Sequence, residues 1–395
     1  MTNPQTMTSS TETRILRVKL NGITAAIRQV DEGYTVALIS DVHLGHGRVH
    51  ASKVIRTLNT MFPESRLAEI DMVMITGDLF DKRLTYDSDD AFLITRWIEI
   101  FLRMCARYNV AVRILEGTPS HDNKQSRWLP LISEVSNINL DIKYYGTLAI
   151  DELYEGGPLA LYVPDEVNHD ASVTWMQVNE LLRQRGVSQV HYAFMHGMFT
   201  YQEPIRTVVS HNVENYHSIV TERIYIGHHH THTTCGRITV PGSPERLRHN
   251  EEEDKGHLQF TIAKDWTCHN ELFIVNEEAT IFSTFDLKGV QIKAAYKFLE
   301  NHEHLPQGSH IRLEISREDP AYAALAEIKA RFPQFNITTK VVEADAYTPD
   351  TTDLIERPVI TAIRPDTIND LLWSRVKDVE KPVLDCIQRI LAEAA

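Results

Sequence analysis

Five short stretches, in the order Asp41-Val42-His43, Gly77-Asp78, Ser120-His121-Asp122, His196-Gly197 and Gly227-His228-His229-His230, sit at the ends of apolar, strand-like runs. Thr35 to Ser40 runs into Asp41, Asp71 to Thr76 into Gly77-Asp78, and Val112 to Leu115 into the loop Glu116 to Asp122. His191 to Met195 leads to His196, and Ile224 to Ile226 to Gly227-His228. Loops at the carboxyl ends of strands are where α/β folds hold ligands, so five strands deliver oxygen and nitrogen donors to one rim. Each stretch alone arises by chance in a chain of 395 residues. The common order and common placement make the set informative.

The set is what two adjacent cations need. Hydrolysis of a phosphodiester requires a nucleophile from water, neutralised phosphoryl oxygens and a protonated leaving oxygen, and two metal ions about 3.5–4 Å apart supply the first two. Asp78 is the expected bridging carboxylate, because a Gly-Asp at a strand end reaches between both ions without crowding. Asp41, His43 and His230 are expected on one ion, His196 and His228 on the other. In Gly-His-x-His the outer histidines of an extended segment fall on one side, although His229 and His232 leave open a shifted register pairing His230 with His232. His121 is the expected proton donor, with Asp122 orienting its imidazole and raising its basicity. Around this set, Asp81 reads as a turn or helix-start residue, His46 and His50 as neighbours of substrate or solvent, and Cys235 as an ordinary thiol. Arg127, Arg246 and Arg248 read equally as solvated surface and as phosphate contacts.

Strand-like runs alternate with helical patterns up to about residue 230, an α/β arrangement. Helical spacing follows the first motif (Val54, Ile55, Leu58, Met61) and the second (Phe92, Leu93, Trp97, Ile98, Phe101), with an N-cap expected within Asp87 to Asp90. A third helix is expected over Val173 to Leu182. From Arg237 short strands take over, and the acidic loop Glu251 to Gly256 reads as a solvated connection rather than a site. Later, Ile311 to Ile315, Tyr322 to Phe332 and Ile337 to Val342 suggest a small β-α-β unit, and Asp366 to Ala394 a helix interrupted at Pro382. The expected organisation is a flexible tail over 1–14, a catalytic domain over 15–265 and a capping or partner-binding region over 266–395.

A formal charge of −14 argues against a generally basic, nucleic-acid-coating protein. It does not exclude a nuclease, because a local basic rim and bound cations can carry phosphate contact. The cysteines Cys105, Cys235, Cys268 and Cys386 show no Cys-x-x-Cys pairing, as expected of reduced cytosolic thiols. Neither an apolar signal core in the first residues nor a run of about 18 apolar residues later is present, so a cytoplasmic protein without membrane contact is expected.

The motifs resemble those of the calcineurin-like metallophosphoesterases. Ser40-Asp41-Val42-His43-Leu44-Gly45, Gly77-Asp78-Leu79-Phe80-Asp81 and Pro241-Gly242-Ser243-Pro244-Glu245-Arg246 are most similar to the SbcD family of DNA repair nucleases and their phage relatives, over roughly residues 33 to 260. That resemblance implies a two-sheet αββα metallophosphoesterase sandwich with a smaller C-terminal α+β capping domain. It also implies DNA cleavage dependent on two divalent metal ions, manganese first and magnesium, zinc or iron as substitutes. DNA, an SbcC-type coiled-coil ATPase and a second copy of the chain are the implied partners. A small-molecule phosphodiesterase or phosphatase with the same centre, and a metal-poor scaffold, are the rival readings. The register His228 with His230 is favoured because Gly227 precedes His228, as in the family pattern. At the third motif the family carries Gly-Asn-His-Asp or Gly-Asn-His-Glu, whereas this chain has Gly117-Thr118-Pro119-Ser120-His121-Asp122. Ser120 then stands at the asparagine position, and its shorter hydroxyl is expected to weaken the second metal site.

Overall fold

Alternate residues of the central strands face opposite ways, and here both faces are apolar, so each sheet must be covered on both sides. Along Tyr34–Ile39, Val36 and Leu38 pack into one cluster and Ala37 and Ile39 into another. Met72–Thr76 divides the same way, Met72 and Met74 against Val73 and Ile75.

The computed structural model describes residues 15–20, 23–28, 33–85, 87–165, 170–202 and 209–342. Two six-stranded mixed sheets form its centre. One runs Cys268–Val275, Gly256–Ile262, Tyr34–Ile39, Met72–Thr76, Ala111–Leu115, Ile142–Tyr145; the other Thr233–Cys235, Ile238–Val240, Val220–Gly227, Val190–His196, Leu159–Val163, Ala149–Glu152. Between them lies a layer fed by both sheets, including an aromatic file in which Tyr145 stacks on Tyr162 at 3.6 Å and Tyr225 on Phe260 at 4.6 Å. Such pairs contribute about 0.5–1.5 kcal/mol each beyond the area they bury. Helices Ala51–Met61, Asp89–Tyr108 and Trp128–Val135 cover the outer face of the first sheet, and Ala171–Arg185 and Val213–Ile219 that of the second, giving four layers in the order αββα. Ser88 caps the long helix by accepting from the Ala91 N–H at 3.1 Å, within the expected capping stretch.

The sandwich runs past the expected boundary at 265. Cys268–Val275 pairs antiparallel with Gly256–Ile262 and completes the first sheet. A smaller unit follows, with parallel strands Phe282–Asp286, His310–Ile315 and Asn336–Val341, helices Ile292–Glu300 and Leu325–Arg331, and its own core around Leu299, Leu313 and Ile328. The first of these strands and the helix after it add a β-α step to the expected β-α-β unit. All these residues belong to one compact unit. The expected tail 1–14 and the expected helix over Asp366 to Ala394 lie outside the described residues. Among the described residues no helix is long and apolar enough to cross a membrane.

Candidate metal centre

The loops after Tyr34–Ile39 and Met72–Thr76 run side by side. The Asp41 N–H donates to Gly77 O at 3.1 Å, His43 N–H to Asp78 O at 3.0 Å and Leu44 N–H to Leu79 O at 2.9 Å. Four of the six expected ligands hold a left-handed backbone, Asp41 at φ 53°, His43 at 54°, Asp78 at 49° and His228 at 104°. For residues other than glycine this conformation costs of order 1–3 kcal/mol each, and such strain clusters at functional sites. Packing here leaves no room for more atoms. A Cβ at Gly77 would lie 2.1 Å from His196 Nδ1, and one at Gly117 2.0 Å from the Asp78 backbone nitrogen.

All six expected ligands converge, in two groups. Asp41, His43 and His230 present donor atoms within 4.8 Å of one another, and so do Asp78, His196 and His228. The groups touch where Asp78 Oδ2 lies 3.8 Å from His43 Nε2. His43 and His121 also share a group with Asp78. His232 stays apart from both groups: its Nδ1 faces Val240 O at 2.8 Å and its ring stacks on Phe273.

The hydrogen-bond partners decide where the imidazole protons are, and thereby what the centre lacks. His230 Nδ1 lies 2.9 Å from Glu251 Oε1, which commits that ring's proton to the carboxylate, whereas His43 Nδ1 lies 3.2 Å from Asp81 Oδ1 without forming a hydrogen bond. His230 Nε2 then carries a lone pair and faces His43 Nε2 at 3.1 Å. His196 repeats the pattern, with Nδ1 against Thr76 O at 2.7 Å and Nε2 pointing at Asp78 Oδ1 at 3.3 Å. Imidazole nitrogens and a carboxylate that converge in this way need positive charge among them, supplied by protons or by metal cations. The donor set of imidazole nitrogens and carboxylate oxygens fits divalent transition metals; Asp41, His43 and His230 would hold one, and Asp78, His196 and His228 another.

The electrostatics agree. Burial alone would raise the Asp78 carboxyl, but the adjacent His196 and His43 hold it well below the usual range. Burial opposes charge on His196, yet Asp78 and Asp41 drive its affinity for positive charge well up. Glu251, despite burial, is held down at about 2 by His230, the Leu247 N–H and Lys255.

Three expectations are corrected by this geometry. Ser120 is exposed, and the hydroxyl inside the centre is that of Thr118, 3.2 Å from Asp78 Oδ2 and 3.4 Å from both His196 Nε2 and His228 Nδ1. The motif is thus anchored at Gly117, with Pro119-Ser120 inserted before His121. Asp122 does not orient His121: its carboxylate accepts from the Phe80 N–H at 2.9 Å and the Gly117 N–H at 2.7 Å, and burial with the nearby Asp78 charge pushes it up to about 7. Instead His121 Nδ1 bonds the Asp81 carbonyl at 2.7 Å, leaving Nε2 to gain and lose the second proton. The acidic loop is no solvated connection either, because Glu251 and Lys255 are buried and Lys255 Nζ donates to His230 O at 2.9 Å. His50 accepts from the Ser52 N–H and caps the helix Ala51–Met61.

The sequence profile of calcineurin-like phosphoesterases matches residues 34–310, more than half of the chain. The chain belongs to this family. The matched span holds both sheets and every residue of the centre. No curated protein matches the chain. One crystal structure overlays on 61% of this chain and 100% of its own, at 12% identity and a TM-score of 0.36, a level that bears on nothing further.

Proposed function

We propose that the protein is a divalent-metal-dependent phosphodiesterase that cleaves DNA, an SbcD-like nuclease acting in repair or recombination with manganese as the favoured ion and an SbcC-type ATPase as partner. The observation that carries the phosphodiesterase is the convergence of the Asp41, His43 and His230 donor atoms and of the Asp78, His196 and His228 donor atoms, each group within 4.8 Å. When bound, two cations supply positive charge for the phosphoryl oxygens and acidify a water that attacks phosphorus. The chain supplies the rest. Glu251 fixes the tautomer of His230 and Thr76 O that of His196, Asp81 lies 3.2 Å from His43 Nδ1, and the Thr118 N–H, 2.6 Å from Asp78 Oδ1, aims the central carboxylate. His121, edge-on to His43 at 4.9 Å, gives a proton from Nε2 to the departing oxygen while Asp81 O holds its Nδ1–H.

DNA as substrate is supported by the likeness of the first, second and Pro241–Arg246 motifs to SbcD nucleases. The last of these clamps the ligand loop: the Ser243 N–H donates to His230 O at 3.1 Å, and the fully buried Glu245 accepts from Thr57 Oγ1 at 2.9 Å. The test is digestion of linear, circular and single-stranded DNA beside bis-nitrophenyl phosphate, with manganese and with chelator, by the wild type and by Asp78→Asn. Metal-dependent DNA cleavage is expected, lost by several orders of magnitude, roughly 10³-fold or more, in the folded variant. Turnover of small esters with DNA left intact would replace the nuclease by the small-ester enzyme, and near-normal activity of Asp78→Asn would overturn the dinuclear centre.

A further inference from the structure

Beside the metal centre, on the His121 edge, lies a cleft of about 680 Å³ lined by Arg83, Thr85, Asn123, Lys124, Arg127 and Trp128 among others, none of them a carboxylate. Its two walls are the continuations of the catalytic loops. Arg83 and Thr85 follow Asp81, whose carbonyl holds His121, and Asn123 and Lys124 follow His121 and Asp122 directly. The buried Gln125 ties the walls together, accepting from the Leu84 N–H at 2.7 Å and donating to Lys82 O at 3.0 Å. Asn123 and Lys124 are consecutive left-handed residues, at φ 51° and 60°, so the turn that presents the lysine is held against its own preference.

The charge here runs against the composition. The chain has 54 acidic against 40 basic residues, yet three exposed cations, Arg83, Lys124 and Arg127, gather in this cleft, and among the described residues none of them is in an ion pair. By contrast Arg248 Nε is spent on Glu251 Oε1 at 3.0 Å, and Arg246 on the Glu252 carbonyl at 3.4 Å. Glu116 feels the charges of Lys124 and Arg127 but pairs with neither, accepting instead from the Lys124 backbone N–H at 2.6 Å and the Tyr144 hydroxyl at 2.9 Å. Unpaired cations beside a phosphoester-cleaving centre, in a strongly acidic molecule, provide what a second and third backbone phosphate require.

We propose that this cleft binds the backbone of a single nucleic-acid strand on the leaving-group side of the scissile phosphate, with Arg83, Lys124 and Arg127 contacting successive phosphates. The inference rests on the phosphodiesterase reading above and adds the path of the substrate. His121, standing between centre and cleft, is the proton donor to the oxygen of the strand that the cleft retains. A substrate with one phosphate uses the centre alone, whereas a polynucleotide uses both.

The test is fluorescence-anisotropy titration of the full-length chain, in chelator so that nothing is cut, with a labelled single-stranded DNA of about ten nucleotides, within the 4–16 typical of one binding fold. It compares wild type with Arg83→Gln/Lys124→Gln/Arg127→Gln, and melting temperatures check folding. Three lost phosphate contacts should weaken binding at least tenfold and flatten the slope of log affinity against log salt by about 2, since each contributes about 0.7 on single strands. Wild-type affinity should also rise with strand length, a measurement that needs no variant. An unchanged slope in the folded variant, or wild-type binding that is absent or indifferent to length, overturns the cleft. If metal-dependent DNA cleavage persists in that case, the cleft alone is wrong; if the wild type cuts no polynucleotide, the nuclease reading falls first and takes the cleft with it.

Discussion

Two imidazole nitrogens 3.1 Å apart, one of them on a ring whose proton is committed to Glu251 on the far side, define the centre more sharply than any motif does. Around them the decisive single residue is Thr118. A hydroxyl offers one neutral oxygen on a short arm where the family places an amide, so an ion at Asp78, His196 and His228 would have a poorer set of donors than one at Asp41, His43 and His230, where Glu251 backs the His230 imidazole. Metal titration should therefore resolve two unequal affinities. Thr118→Val should weaken only the lower one, by about tenfold or more, Thr118→Asn should tighten it, and Ser120→Ala should leave both unchanged. A Ser120→Ala variant that loses metal would return the ligand role to Ser120. His121 is separable from the ligands by leaving group: His121→Asn should lose about 10²–10⁴-fold on DNA but far less on a nitrophenyl ester, whose leaving oxygen needs little protonation. Equal losses on both substrates, or loss of metal, would make His121 a ligand. The sequence could place Asp41, His43 and Asp78 because acid and imidazole at strand ends have few other uses. The third motif misled because counting back from His121 crosses the Pro119-Ser120 insertion, whereas counting forward from Gly117, whose missing Cβ admits Asp78, reaches Thr118.

At the scale of elements, strand order positions the site and loop-to-loop contacts tune it. The strands ending at Asp41, Asp78 and Glu116 are neighbours in one sheet, and those ending at His196 and His228 are neighbours in the other, so the ligands meet where the two sheets face each other. Alternating apolar runs made those strands legible. The loop after Pro241 was not, because Glu251 acts across 21 positions on His230 and nothing in its acidic neighbours distinguishes it from a solvated run. The Leu247 N–H, Arg248 and Lys255 all converge on this carboxylate. Removing a carboxylate that supports a ligand histidine typically costs about 10–100-fold in metal affinity. Glu251→Gln should thus weaken the tighter of the two ions by that factor, and the rise in melting temperature on adding manganese should shrink with it. An undiminished rise would show that Glu251 serves only the packing of its loop.

For the molecule as a whole, buried neutral histidines outside the centre set the acid limit of the fold. His257 lies on the strand Gly256–Ile262 facing Phe62 at 5.8 Å, about 1% exposed, with no hydrogen-bond partner for either ring nitrogen among the described residues. Burial, helped by the positive charge of Arg66, lowers it to about 4. His211, bonded to the Tyr216 hydroxyl at 3.1 Å, is likewise lowered to about 4 by burial. The folded protein keeps these rings neutral, whereas the unfolded chain takes up protons once the pH falls below about 6.5. Their contribution to stability is therefore complete above that value and is lost as the pH falls from about 6.5 towards 4, at up to roughly 1.4 kcal/mol per unit for each ring. Glu251 acts lower, between the ordinary glutamate value and about 2, so it does not obscure this window. Denaturant unfolding in chelator, which removes metal release as a cause, should show stability falling by about 2 kcal/mol per histidine between pH 7.5 and 5. His257→Leu should remove its share of that fall while keeping the apolar contact with Phe62. A variant whose stability drops as steeply as the wild type's would show that His257 is already charged in the folded protein, with water or a rearranged neighbour satisfying it.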